Sequence, residues 1–148
     1  MNTAPNVKTS PFHWNRGAWW GSQLGGSAWA LPLGVVLLFQ DIPSALVCLA
    51  SFAALTAYGL RLWRLRDRLT AYAGLQRLLL AMTVFYAVII VTLNLRGISE
   101  AQTDWPFHSA RASVGATPAH VPYWPIALPL AVMLLLFLQQ RATKRSQG

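Results

Sequence analysis

The chain has 148 residues, enough for one domain, of which 55% are hydrophobic and only 11% are charged. A soluble domain is typically about 25% charged, so this composition argues against a fold that is covered by water on all sides. The net charge of +8 does not indicate nucleic acid binding, because the charges stand at the ends of apolar runs and do not form a basic face.

Four apolar stretches predict membrane-spanning helices, since a span needs about 20 residues of helix. They cover approximately residues 18–39, 43–62, 76–95 and 123–139. Asp41 lies between the first two stretches and Pro43 begins the second, where an acidic group and a proline suit the first turn of a helix. The first two helices should therefore form an antiparallel hairpin, and the last two should form a second one.

The predicted fold is thus all-α, an integral membrane four-helix bundle in which residues 1–148 make a single transmembrane domain. Two connections differ in character. The connection between the second and third helices is short and basic, whereas residues 96–122 form a long polar loop with three prolines.

The positive-inside rule predicts the orientation, because cytoplasmic loops carry an excess of Lys and Arg. With four spans, the N-terminus, the basic connection and the C-terminus share one side. Ten of the 12 basic residues fall on that side, and only Arg96 and Arg111 fall on the other. We therefore expect both termini in the cytoplasm and the 96–122 loop outside.

A glycine-rich segment opens the first predicted span. Its glycines Gly17, Gly21 and Gly25 are spaced by four, and Gly26 follows directly. Small residues at this spacing line one helix face and let another backbone approach closely. We expect a helix-packing role for these four glycines. The contact could be within the chain, with another protomer or partner subunit, or with a ligand.

The basic connection contains a second candidate contact surface. Arg61, Arg64 and Arg68 recur at helical spacing, and Arg66 lies between them. Arginines at this position reach lipid phosphates while their aliphatic stems cover apolar surface. These four arginines are predicted to contact anionic lipid headgroups or an acidic partner. The alternative is that they only set the orientation of the chain.

Residues suited to catalysis or metal binding are scarce. No acidic residue or histidine lies inside a predicted span, whereas proton paths normally contain one. His108 and His120 occur in the outer loop near Glu100 and Asp104, but their spacing matches no compact metal site. We therefore predict no catalytic residue, no metal and no cofactor, and we expect no nucleic acid partner.

These observations favour a non-catalytic accessory or structural subunit, or a self-associating helix bundle. A small oligomeric transporter or channel is the alternative, since prolines could bend the spans and polar residues line some faces. A membrane enzyme that uses the outer loop is a third hypothesis. The expected location is the prokaryotic cytoplasmic (inner) membrane, and the expected partners are the lipid bilayer, anionic headgroups and either a membrane subunit or further copies of the chain.

Overall fold

The computed structural model describes residues 13–98 and 121–145, and every regular element in these ranges is helical. The helices are α1 (Arg16–Ser27), α2 (Ala30–Leu37), α3 (Ile42–Arg64), α4 (Ala71–Leu95) and α5 (Trp124–Arg145). Three of them, α3, α4 and residues Trp124–Ala142 of α5, are long and apolar enough to cross a membrane. The all-α prediction is confirmed for this part of the chain, and most of the predicted outer loop lies outside it.

Local sequence signals fix the helix ends. The side chain of Asp41 accepts a hydrogen bond of 3.1 Å from the Ser44 amide at the start of α3, where Pro43 occupies the first turn. Thr70 caps α4 in the same way through the Ala73 amide. An N-cap oxygen satisfies amides that have no partner within the helix. These contacts make the two short connections, before α3 and before α4, well-defined turns.

The end of α4 is closed by a Schellman motif. Gly97 adopts a φ of 66°, a left-handed conformation that glycine tolerates best. The Gly97 amide donates to the Asn94 carbonyl at 3.1 Å, and the Ile98 amide donates to the Leu93 carbonyl at 3.0 Å. Ile98 is thereby turned back into the core, as this motif favours.

The first predicted span is divided into α1 and α2. Pro32 has no amide proton, so it cannot donate to the Ala28 carbonyl four residues earlier. The Leu31 amide, three residues after Ala28, donates a hydrogen bond of 3.2 Å to that carbonyl instead. Ala28 and Trp29 keep right-handed helical backbone angles. A short interruption therefore separates α1 and α2, and α2 continues in roughly the same direction as α1.

Together, α1 and α2 run antiparallel to α3. Trp19 lies beside Trp63, Gln23 meets Gly59, and Gly34 meets Leu49. The two helices therefore extend from the α3–α4 connection at one end of the molecule to the α2–α3 turn at the other. We call these the basic end, which contains residues 61–70, and the Asp41 end.

Helix α4 is the central element. It packs against α3 on one side and α5 on the other, and it provides more of the buried apolar side chains than any other helix. Its buried side chains include Leu78, Met82, Phe85 and Ile89. By contrast, only Pro129 is buried among positions 124–142 of α5. Helix α5 thus lies along α4 as a peripheral element with most of its apolar surface uncovered.

Candidate functional site on helix α1

A cluster of three tryptophans fixes the start of α1 at the basic end. The ring centroids of Trp14 and Trp19 are 5.0 Å apart, and that of Trp14 is 5.8 Å from Trp63. The indole N–H of Trp14 donates to the Leu69 carbonyl at 3.0 Å. Gly74 makes room for this ring, because a Cβ there would lie 2.4 Å from a Trp14 ring carbon. The cluster joins α1 to both α3 and α4.

A buried polar residue, Gln23, faces α3 below this cluster. Its side chain is fully buried (0% exposed), and neither amide atom has a hydrogen-bond partner within the described residues. It fits only because position 59 is glycine, since a Cβ there would lie 2.1 Å from the Gln23 Oε1. The Trp19 indole N–H and the Thr56 hydroxyl on the same interface also have no partner in this part of the chain. Such groups are costly to bury without partners.

The opposite face of α1 is open. A Cβ added at Gly21 or Gly25 would have no atom within 4 Å, and one at Gly17 would meet only the Asn15 side chain at 3.5 Å. Gly17, Gly21, Ser22 and Gly25 are all exposed. We call this surface the glycine face. Its glycines make no close contact with another helix within the described chain.

Gly26, which follows the glycine face, has no free space beside it. A Cβ there would lie 2.1 Å from the Met82 methyl group. The Gly26 carbonyl accepts hydrogen bonds from the Tyr86 hydroxyl and from the Trp29 indole N–H, the latter at 2.9 Å. The Trp29 ring also stacks on Tyr86, with an angle of 11° between the planes. Gly26 thus contacts α4 at the interruption between α1 and α2.

The four arginines of the basic connection lie at the end of α3 and in the turn that follows. Arg61 and Arg64 belong to the last helical turn, where positive charge suits the helix dipole. The Arg66 guanidinium lies 5.3 Å from the Trp63 ring centre and 3.8 Å from the Asp67 carboxylate. All four arginines are exposed. Their predicted role in lipid or partner contact stays a prediction.

Three residues join the elements at the Asp41 end. The Arg96 guanidinium donates two hydrogen bonds to the Asp41 carboxylate, one of them 3.1 Å long. These bonds, together with that from Ser44, hold the pKa of Asp41 well below its usual range. The Asn94 side chain bonds to both the amide and the carbonyl of Val121, at 2.8 and 3.1 Å. The chain therefore leaves α4 and returns to α5 at the same place.

Two apolar grooves open on the surface of the described helices. One lies between α3 and α4, has a volume of about 450 Å³ and includes Arg77. The other, of about 320 Å³, lies between α4 and α5 and reaches Ser22 of α1. Both are lined mainly by Leu, Val, Ala or Met side chains.

Several of these features were not expected from the sequence. Gln23 was not singled out, although a lone amide four residues after Trp19 on an otherwise small or apolar helix was a visible signal. The outer-loop residues His108, His120, Glu100 and Asp104 lie outside the described residues. Within residues 13–98 and 121–145, no group of three metal-ligating side chains occurs.

Comparisons with protein-family models, with curated proteins and with solved structures found no match to this chain.

Proposed function

We propose that the protein crosses the prokaryotic inner membrane four times, with α1 and α2 acting as one interrupted span. At 1.5 Å per residue, residues 16–37 extend about 33 Å, enough for a hydrocarbon core of about 30 Å. Their antiparallel path beside α3 supports this crossing. With four crossings the positive-inside rule directs both termini to the cytoplasm, so the basic end faces the cytoplasm and the Asp41 end faces outward.

The proposed role is that of a non-catalytic accessory subunit or a self-associating helix bundle. The observation that carries this proposal is the open glycine face of α1. A Cβ at Gly26 would meet Met82, whereas one at Gly21 or Gly25 would meet no atom of another helix within the described chain. Small residues on a membrane helix allow the backbone of another helix to approach closely. A helix from a second chain would fill this face.

The exposed leucines and valines of α5 do not carry the same argument. Lipid tails are as apolar as these side chains, so their exposure to lipid has little cost. The glycine face differs because it gains extensive van der Waals contact only when a helix packs there. We therefore place the subunit contact on α1.

Substitution of Gly21 and Gly25 by Leu tests this role. The double variant should lose its self-association or its co-purifying membrane subunit in mild detergent, because the larger side chains keep the partner backbone away. Ala57→Leu is the control, since Ala57 is an exposed small residue of α3. Retention of the same assembly by the double variant, or a parent protein that is monomeric and free of partners, would refute the proposal.

Orientation is tested separately with reporter fusions. A fusion at Gly148 should report the cytoplasm, and a fusion in the 96–122 loop should report the outer side. Identical answers from the two fusions would contradict the four-span arrangement. This result does not depend on the partner of the glycine face.

A small oligomeric transporter or channel is the second candidate. Its specific support is the Gln23 amide, which has no hydrogen-bond partner within residues 13–98 and 121–145 and lies close to the interruption between α1 and α2. Transporter sites often combine interrupted helices with polar groups near the middle of the membrane. The two candidates differ in what Gln23 does, and the Gln23→Met substitution separates them. An enzyme that uses the outer loop remains a third proposal.

A further inference from the structure

We propose that the groove between α3 and α4 binds one anionic phospholipid, with an acyl chain in the groove and the phosphate on Arg77. This inference rests on the membrane location but is independent of any contact at the glycine face. The groove differs from the basic connection, whose arginines were predicted to contact lipid headgroups in general.

The shape and lining of the groove suit an acyl chain. The buried side chains of Leu55 and Phe85 line its interior. Ala54 and Ala81 are small, so the two helices leave a channel of about 450 Å³ between larger residues such as Leu80. This volume lies in the usual range of ligand sites. Apart from its ends, the lining offers nearly continuous hydrocarbon.

The length of the groove matches one leaflet of a bilayer. Along α4 the lining extends from Arg77 to Val88, which is about 16 Å at 1.5 Å per residue. Half of a hydrocarbon core of about 30 Å is about 15 Å. An acyl chain whose phosphate lies at Arg77 would therefore end near Val88, close to the middle of the membrane.

The polarity of the groove also matches a lipid. Arg77 is exposed, and it forms no ion pair within residues 13–98 and 121–145. Tyr58 of α3 also lines the groove, and its side chain carries a hydroxyl. A guanidinium at a helix–lipid boundary can extend to a phosphate oxygen. The site thus has one cationic end and one apolar channel. A transmembrane helix would need a buried carboxylate to match Arg77.

Native mass spectrometry with defined lipids tests the proposal. The full chain is reconstituted in phosphatidylglycerol or in phosphatidylcholine, extracted in mild detergent, and the retained lipids are counted. We expect the parent protein to retain one tightly held phosphatidylglycerol. Arg77→Gln should weaken this retention about fivefold, the effect expected for one arginine near an anionic surface. Ala54→Phe should abolish it by filling the groove.

Two matched controls give the test its specificity. Ala57→Phe makes the same substitution on the same helix, at an exposed position outside the groove lining. Arg141→Gln removes an exposed basic residue from α5. Both variants should retain lipid like the parent, and thermal melting confirms that all variants fold. Equal retention by the parent, Arg77→Gln and Ala54→Phe would overturn the proposal. The proposal would also be overturned if the parent retained both lipids equally, or if the control variants lost as much lipid as Arg77→Gln and Ala54→Phe. A change of oligomeric state in Ala54→Phe without a loss of lipid would overturn it as well.

Discussion

Arg96 and Asp41 stand 55 positions apart in the chain and form a two-pronged ion pair at one end of the molecule. Asp41 caps α3, and Arg96 follows the last turn of α4. The pair therefore links the turn that starts α3 to the point where α4 ends. The Ser44 hydroxyl donates to the same carboxylate, so one acidic side chain serves as a helix cap and as a tertiary contact.

The charge of Asp41 should stabilise the protein in a pH-dependent way. Asp41→Asn keeps a good helix cap but removes the charge that Arg96 binds, so its melting temperature in detergent should fall at neutral pH. Because the pKa of Asp41 is lowered, this stabilisation is fully present above the ordinary carboxyl pKa of about 4. It is lost only as the pH falls from there through the lowered value.

The difference between parent and Asp41→Asn should thus be constant from about pH 5 to 8 and narrow below about pH 4. Asp67→Asn is the control, because the Asp67 side chain is 84% exposed and its contact with Arg66 is 3.8 Å long. Exposed pairs of this kind contribute little. A difference for Asp41→Asn that grows as the pH falls would show that the ion pair does not stabilise the fold.

Local patterns predicted the helices well, because their signals lie within a few residues. Apolar runs located α3, α4 and α5, and the position of Pro43 marked the start of α3. The sequence indicated that prolines could bend the spans, yet it did not show that Pro32 would divide the first one. The outcome depends on contacts such as that between Tyr86 and Gly26, which are 60 positions apart.

The candidate site was harder to predict, because glycine spacing does not say which face of a helix meets a neighbour. Gly25 and Gly26 are adjacent, but one is open and the other meets Met82. The Gln23 side chain fits at a helix interface only because Gly59 lies opposite. No local sequence pattern around either residue predicts that contact. The packing roles predicted for Gly17, Gly21 and Gly25 therefore depend on a second chain and stay predictions.

Gly59 should be far more sensitive to substitution than Gly25. A Cβ at position 59 would overlap the buried Gln23 amide, which has little room to move. We expect Gly59→Ala to destabilise the protein by about 1–3 kcal/mol, as overpacked sites do. In a chain separated from its partner, a Cβ at Gly25 meets no atom of a neighbouring helix, so Gly25→Ala should change stability by no more than about 1 kcal/mol, in the favourable direction, through helix propensity. Thermal melting in detergent compares them, and equal effects would contradict the packing described for α1 and α3.

Asn94 should hold the start of α5 against the end of α4. Asn94→Ala removes both hydrogen bonds to Val121, which should cost about 1–3 kcal/mol. Amide hydrogen exchange should rise at Val121 and in the first turn of α5. Thr92→Ala is the control, because the Thr92 hydroxyl bonds only to the Val88 carbonyl of its own helix. Unchanged exchange near Val121 in Asn94→Ala would show that other contacts position α5.

Replacement of Gln23 by Met distinguishes an accessory subunit from a transporter or channel. In a purely structural interface the unpartnered amide is a cost, and an apolar residue of similar size should remove it. We then expect Gln23→Met to stabilise the protein by about 1–3 kcal/mol, with no effect on assembly. Gln76→Met is the control, since the Gln76 amide donates to the Tyr72 hydroxyl at 2.8 Å and its loss should be neutral or destabilising. If Gln23→Met instead lowers the melting temperature, the amide has a stabilising partner outside the described residues, such as a water, an ion or a solute. That result would favour the transporter or channel, and flux through reconstituted vesicles should then fall in the same variant.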